Sequence, residues 1–228
     1  SSFQRAELDG SDMRNTNLRS ATFVQVDFTK IKNKSLAGAD LTNTSFAHSN
    51  LSGVNLVGVI LVFTNFWHAD LSGQDFTVTH NITDGLSFIE ANLSNSNFEG
   101  VNLSPKQFFD IFPNKAYLNN LDHNLIAKDL FSGHRILIIS TEVRGNDLAV
   151  DYIFFNTFSH ANLENANFKN ADLRQVNFYS TNLTNADLSG ADLRKTFLFN
   201  ADLSNVNLSG ADLTGAFINE NTILKCLN

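Results

Sequence analysis

Residues 161–188 read Ala161-Asn162-Leu163, Ala166-Asn167-Phe168, Ala171-Asp172-Leu173, Val176-Asn177-Phe178, Thr181-Asn182-Leu183 and Ala186-Asp187-Leu188, with two further residues after each triplet. The pattern continues to Ala216-Phe217-Ile218 and appears earlier at Ala39-Asp40-Leu41, Ala69-Asp70-Leu71 and Ala91-Asn92-Leu93. A period of five fits neither the helical period of about 3.6 residues nor the alternation of about two residues in a strand. Each five-residue unit must therefore contain its own bend.

The large apolar residue of each unit defines four blocks, from Phe3 to Phe28, Leu36 to Phe76, Phe88 to Phe108 and Leu148 to Ile223. Two positions before each apolar centre the residue is usually small, and Asp or Asn lies between the two. This alternation predicts two inward side chains separated by an outward polar one, with an interior column of leucine and phenylalanine.

These triplets resemble the pentapeptide-repeat family, whose pattern is Ala, Asp or Asn, Leu and two variable residues, and the resemblance covers about four fifths of the chain. It implies an all-β fold, a right-handed quadrilateral β-helix with four units per coil. The chain would then form about nine coils and, at about 4.8 Å between paired strands, a rod roughly 43 Å long.

Interruptions of the frame divide the chain into 1–103 as the first part of the β-helix, an insertion at 104–146, and 147–228 as the second part with a C-terminal cap. Ser104-Pro105 is typical of a helix start, and leucines at helical spacing from Leu118 to Leu130 predict a second short helix. Residues 136–139 predict a strand that hydrogen-bonds into the coils. Residues 221–227 predict a short helical cap, and shorter loops are expected at 30–34 and 81–85.

Composition argues against a disulfide-bonded protein, a nucleic-acid-binding protein and a membrane-spanning protein. The 228 residues carry a net charge of −7 and one cysteine, Cys226, which excludes an internal disulfide and a cysteine-rich metal cluster. The acidic balance argues against direct nucleic-acid binding, and no apolar run has the length of a membrane span. Phe3 is already in the repeat frame, so we expect a piece of a longer protein.

No catalytic motif is present, and we expect no enzyme, cofactor or metal in this chain. The aspartates recur at the outward position of the repeat, which explains them without catalysis. With 20 residues per coil, Asp172, Asp192 and Asp212 lie in one column beside Arg174 and Arg194. His48 and His68 are also 20 residues apart, but two histidines without a third ligand are too few for a metal site.

Two apolar groups at outward positions are candidate partner-binding surfaces. The first contains Tyr179, Phe197, Phe199 and Phe217, and the second contains Ile60, Val62, Phe63 and Trp67. Coverage by the insertion and self-association into a homodimer are the alternatives to a protein partner.

These features favour a non-enzymatic protein-binding scaffold. The resemblance adds a bacterial setting, in the cytoplasm or as part of an effector secreted into host cells. The alternative is a mimic of B-form DNA that protects DNA gyrase from quinolones, as some family members do. Residues 35–105 contain no Lys or Arg and six acids for that role: Asp40, Asp70, Asp75, Asp84, Glu90 and Glu99. Duplex DNA carries more charge over that length, so we rank mimicry second.

Overall fold

The computed structural model of the chain describes residues 1–80, 82, 85–105, 136–144, 147–154 and 156–225. Its strands are β1 (Ser2–Gln4), β2 (Thr22–Val24), β3 (Ile136–Arg144) and β4 (Asp147–Phe154). Two short 3-10 turns, Phe28–Lys30 and Lys32–Lys34, form the loop that the frame slip at 30–34 predicts. The two helices expected between 104 and 133 lie outside the described residues.

Parallel bridges join each coil to the next. β1 pairs with β2 in parallel, and single parallel bridges continue the pairing through the rest of the repeat region. Partners are 20 residues apart in the regular coils, as for Asn162 and Asn182. The offset rises to 70 across the insertion, as for Ser87 and Thr157, so the same ladder continues on its far side.

The bridged positions form four ladders, one on each face of the rod. Face 1 contains Ser2, Thr22, Ser45, Asn65, Ser87, Thr157, Asn177, Phe197 and Phe217. Face 2 contains Asp27, Asn50, Asp70, Asn92, Asn162, Asn182, Asp202 and Ile223. Face 3 contains the bridged pair Ser35 and Asn55, followed by a second continuous series of Asp75, Asn97, Asn167, Asp187 and Asn207. Face 4 contains Asn17, Asp40, Ile60 and His80, then Asn102, Asp172, Asp192 and Asp212.

One repeat unit shows why the pattern bends every five residues. The N–H of Ala166 donates to the carbonyl of Leu163 at 3.0 Å and closes a turn. Asn162 accepts the N–H of Glu164 through its side-chain oxygen at 3.2 Å, and Asn165 has a φ of 57°. The side chain of Asp or Asn therefore caps the turn by accepting the N–H of the residue two positions later. The last residue of the unit adopts left-handed backbone, which Asn and Gly tolerate best.

The interior is a column of apolar side chains, as predicted. Leu163, Leu183 and Leu203 belong to successive coils and are fully buried. On face 1 the phenylalanine rings stack one above another at centroid distances of 4.8–5.5 Å. The stacked rings are Phe3, Phe23, Phe46, Phe66, Phe88, Phe158 and Phe178. Burial of these rings and of the leucines on the other faces supplies the main folding energy.

The insertion and the C-terminal end differ from two expectations. The strand expected at 136–139 is longer and pairs antiparallel with β4 in a two-stranded sheet instead of joining the coils. The bridges of the coils resume at Thr157. At the other end Ile223 bridges Asp202 and Lys225 accepts the N–H of Asn205, so the described part of the expected helical cap is another coil segment. Cys226 lies outside the described residues.

Asn156 joins the coils where the chain returns from the insertion. Its side chain is fully buried at a position where the repeat usually places Ala. The side-chain oxygen accepts the N–H of Leu86 at 2.9 Å, and the side-chain nitrogen donates to the carbonyl of Leu103 at 2.7 Å. One amide thus satisfies a buried donor and a buried acceptor that precede the insertion.

Candidate functional site

The first aromatic group lies on face 1, at the end of the rod where the last coils stack. The rings of Phe197 and Phe217 are parallel at 4.9 Å, and Phe199 lies 6.4 Å from Phe217. Phe197 is only 7% exposed, although we expected an exposed ring there, while Tyr179, Phe199 and Phe217 are half-buried. The expectation was wrong for Phe197 because the repeat specifies that a side chain points outward and does not specify what covers it.

Burial on face 1 extends over several coils. Ser87, Thr157, Ser159 and Asn177 are outward residues of this face, and each is at most 2% exposed. An outward side chain loses its exposure only where other atoms of the chain lie over it. This part of face 1 is therefore covered, and the aromatic group has less free surface than the sequence predicts.

The second group is divided between two faces. Ile60 lies in the ladder of face 4, bridging Asp40 and His80, and Val62 follows on that face. Phe63 has a φ of 54°, rare for a bulky residue, and a Cβ placed on Gly85 would overlap its ring. Ile60, Val62 and Phe63 are half-buried, so the exposed member of the group is Trp67 on face 1.

Trp67 belongs to a cluster that sequence reasoning did not assemble. The rings of His48 and His68 are parallel at 4.7 Å, as expected from their spacing of 20 residues. Trp67 packs edge-on against His48 at 4.8 Å and lies 4.9 Å from His68. Glu90 pairs with His68 from the coil above. We call these four residues the Trp67 patch; its aromatic centre is 41% exposed.

Three of these residues share one column because they occupy the left-handed position that ends a repeat unit. His48, His68 and Glu90 have φ values of 52–56°. Their spacing in sequence is a signal that could have identified the column, once the two extra residues that shift the repeat frame between Phe76 and Phe88 are allowed for. Trp67 joins the cluster because it immediately precedes His68 in the chain.

The acids proposed for DNA mimicry do not all lie on one face. Asp40 lies on face 4, Asp70 on face 2, Asp75 on face 3 and Glu90 at the edge of face 1. Glu99 follows Asn97 on face 3, and Asp84 lies outside the described residues. Asp40 is also paired with Arg19 at 3.1 Å. The described acids therefore surround the rod and form no continuous row.

A charged ladder on face 4 matches the prediction from the sequence. Arg174 donates two hydrogen bonds to Asp172, at 2.7 and 2.5 Å, and its Nε lies 3.5 Å from Asp192. Arg194 is bonded to Asp192 in the same way and lies 3.6 Å from Asp212. Hydrogen bonding from Arg194 lowers the pKa of Asp192, so alternating charges replace the repulsion that the aspartates alone would produce.

These observations match a known family model. The model of pentapeptide repeats matches eight copies, over residues 1–32, 39–77, 84–104, 157–194 and 181–219, which is more than half of the chain. The chain belongs to the pentapeptide-repeat family. Its four ladders, five-residue turns and stacked core are the structural form of that repeat.

Solved structures of pentapeptide-repeat proteins are similar to parts of the chain or to most of it. A protein from the Arabidopsis thaliana thylakoid lumen is 39% identical with a TM-score of 0.30; the match covers 31% of this chain and 49%, about half, of that protein. HetL, involved in heterocyst differentiation regulation in Nostoc sp. strain PCC 7120, is 20% identical, with coverages of 94% and 87% and a TM-score of 0.29. QnrB1, a plasmid-mediated fluoroquinolone resistance protein, is 14% identical, with coverages of 96% and 91% and a TM-score of 0.35. No curated protein sequence matches the chain.

The described part of this pentapeptide-repeat rod offers neither a metal site nor a membrane-spanning helix. Within the described ranges, no three side chains of His, Cys, Asp or Glu converge in a geometry that would hold a metal ion. The same part of the chain contains no helix with the length and apolar character needed to cross a bilayer.

The charged ladder predicts a pH dependence of stability. Because folding lowers the pKa of Asp192, its ion pair contributes stability above the unfolded pKa of about 4, and this contribution is lost as pH falls through the lower folded pKa. We expect Asp192→Asn, which keeps the turn cap, to lower Tm at neutral pH by a few degrees at most. The difference from wild type should shrink as the pH is lowered from 7 to below about 4. Asp202→Asn, which removes a carboxylate capping Ser204, is the control. A constant difference across this pH range would contradict the role of the ion pair.

Proposed function

We propose that this chain is a non-enzymatic scaffold that binds another protein through side chains held on a right-handed rod of about nine coils. Three features support the proposal: membership of a repeat family, a ladder that continues through the whole repeat region, and an exposed tryptophan on a regular face. Repeat rods of this kind present extended surfaces whose residues are positioned by the stacking of neighbouring coils.

Rigidity is the property that makes such a rod suited to binding. Most ladder positions are bridged to the coils before and after them, and many of the turns are capped by Asp or Asn. Binding to a surface that is already ordered avoids much of the entropy cost of association. The scaffold therefore needs only a small number of strong contacts to retain a partner.

Trp67 is the observation that carries the proposal. Tryptophan is enriched among residues that dominate binding energy, and a large ring left 41% exposed has no packing role that requires that exposure. The two histidines restrict its orientation, since it contacts the ring of His48 and that of His68. Phe197, by contrast, is already covered, which makes the Trp67 patch the better candidate of the two surfaces.

DNA mimicry receives less support from the same geometry. A protein that imitates a duplex must present rows of acids at phosphate-like spacing, because each face of DNA carries closely spaced charges. Here the described acids of residues 35–105 are distributed over four faces, and Asp40 is neutralised by Arg19. Under the scaffold proposal the purified protein should leave DNA gyrase supercoiling unchanged, which a standard supercoiling assay would measure.

The decisive test is partner capture by the intact chain and by two matched variants. Trp67→Ala should reduce the amount of a specific captured protein at least about ten-fold, the effect expected for a binding hot spot. Val57→Ala is the control, because Val57 is 51% exposed and follows Asn55 on face 3. Both variants should keep the far-UV circular dichroism and thermal unfolding of wild type. Equal capture by wild type and Trp67→Ala would refute the proposed surface.

A further inference from the structure

We propose that the Trp67 patch docks a lysine- or arginine-rich segment of the partner protein. This inference rests on the proposed function and adds the chemistry of the partner. It follows from the exposed indole, the charges of the surrounding coils and two carboxylates: Asp70, three residues after Trp67, and Glu90, which pairs with His68.

The indole face supplies the first contact. A guanidinium or ammonium group is attracted to the face of tryptophan more strongly than to other aromatic rings, and arginine can also stack its planar group on the ring. Trp67 uses its neighbours His48 and His68 as lateral supports, in edge-on and tilted arrangements, and remains 41% exposed. The two histidines thus hold the exposed indole in place.

The charge of the coils around Trp67 supplies the second contact. Residues 35–105, which form the coils on both sides of Trp67 up to the insertion, contain no Lys or Arg. Glu90 lies one coil above His68, and Asp70 follows Trp67 onto face 2, where Asn92 donates to it at 3.1 Å. A basic segment meets Asp70 and Glu90 here, and residues 35–105 supply no Lys or Arg to repel it, whereas an acidic segment would meet repulsion.

The negative charges of Glu90 and Asp70 can be removed by substitutions that we expect to leave the backbone unchanged. Gln25 and Gln175 occupy the same left-handed position as Glu90, with φ values of 57° and 62°, so Glu90→Gln should preserve the turn. Asp70→Asn retains the cap, because Asn50 caps Ser52 in the same way one coil earlier. The matched control is Asp187→Asn with Glu164→Gln, which changes net charge equally on other parts of the rod.

The experiment uses Trp67 as its own reporter, since it is the only tryptophan in the chain. The intact protein is titrated with octa-arginine, with octa-glutamate and with a neutral glycine-serine octapeptide at low salt. We expect a saturable change in tryptophan emission with octa-arginine alone, weakening as salt increases. The Asp70→Asn/Glu90→Gln variant should bind octa-arginine about five-fold more weakly, and the matched control should bind as wild type does.

Several results would overturn the inference. These are an absent emission change with octa-arginine, equal binding of octa-glutamate, and equal weakening by both double variants. Sedimentation at the same protein concentration identifies self-association, and an emission change that follows dimer formation instead of peptide concentration would assign the patch to a second copy. If Trp67→Ala loses partner capture but octa-arginine does not bind, the scaffold stands and the basic partner is wrong. If Trp67→Ala captures the partner as wild type does, the proposed binding surface is wrong, and the inference about a basic segment falls with it.

Discussion

Replacing Phe158 with alanine is expected to lower the free energy of unfolding by about 3–5 kcal/mol. Phe158 is fully buried and stacks between Phe88 at 4.8 Å and Phe178 at 5.2 Å. Phe98 and Phe168 meet its ring edge-on at 5.6 and 6.0 Å. Alanine would remove these contacts and leave a cavity that neighbouring coils cannot fill without disturbing their own ladder.

The matched variant for this prediction is Phe158→Leu. Leu198 is the buried centre of the same face two coils later, so the coil accepts leucine at this position. We expect a smaller loss, under about 1.5 kcal/mol, because most of the apolar burial is retained. Urea unfolding followed by circular dichroism measures both values. If the alanine and leucine variants were equally stable, the ring stack would not be a main source of stability.

Replacing Asn156 with alanine is the second large expected effect, at about 2–6 kcal/mol for the two hydrogen bonds lost. The change leaves the buried N–H of Leu86 and the buried carbonyl of Leu103 without the amide that satisfies them. A buried backbone group without a partner costs about 1–3 kcal/mol. Because these bonds join the coils on the two sides of the insertion, we also expect less cooperative unfolding, with the two parts of the repeat rod melting separately.

Asn55→Ala is the control for this second prediction. Asn55 is exposed, and its side-chain oxygen accepts one hydrogen bond, from the N–H of Val57, which water can replace. Its loss should cost at most about 1 kcal/mol. Differential scanning calorimetry of both variants would show the contrast. Equal Tm values for the two would mean that Asn156 does not hold the coils together across the insertion.

The repeat frame was predictable because it depends on local chemistry that recurs in every unit. The inward column of Leu163, Leu183 and Leu203 was expected from the period of five and is present. The charged ladder of face 4 was also expected, since a spacing of 20 residues places Asp172 under Asp192. The capping role of Asp and Asn was missed: the sequence pattern marks them as outward and polar without showing which N–H they accept.

Other features depend on contacts between distant residues. The sequence could not show whether β3 pairs with β4 or with a coil, because the residue pattern of a strand does not specify which strand it pairs with. Trp67 was grouped with Ile60 and Phe63 from proximity in sequence, yet its ring contacts are with His48 and His68. Phe197 was expected to be exposed because of its outward position, and coverage by other atoms of the chain reverses that expectation.

The sequence by itself determined the turn every five residues and the identity of the stacked core residues. These are set by side-chain size, turn capping and left-handed backbone preference within each unit. Only the tertiary structure decided which outward residues are covered, which of the candidate aromatics is exposed, and how Asn156 joins the two parts of the rod. Those outcomes depend on where chain segments separated by an insertion meet in space, and contacts of that kind leave no periodic signal in the sequence.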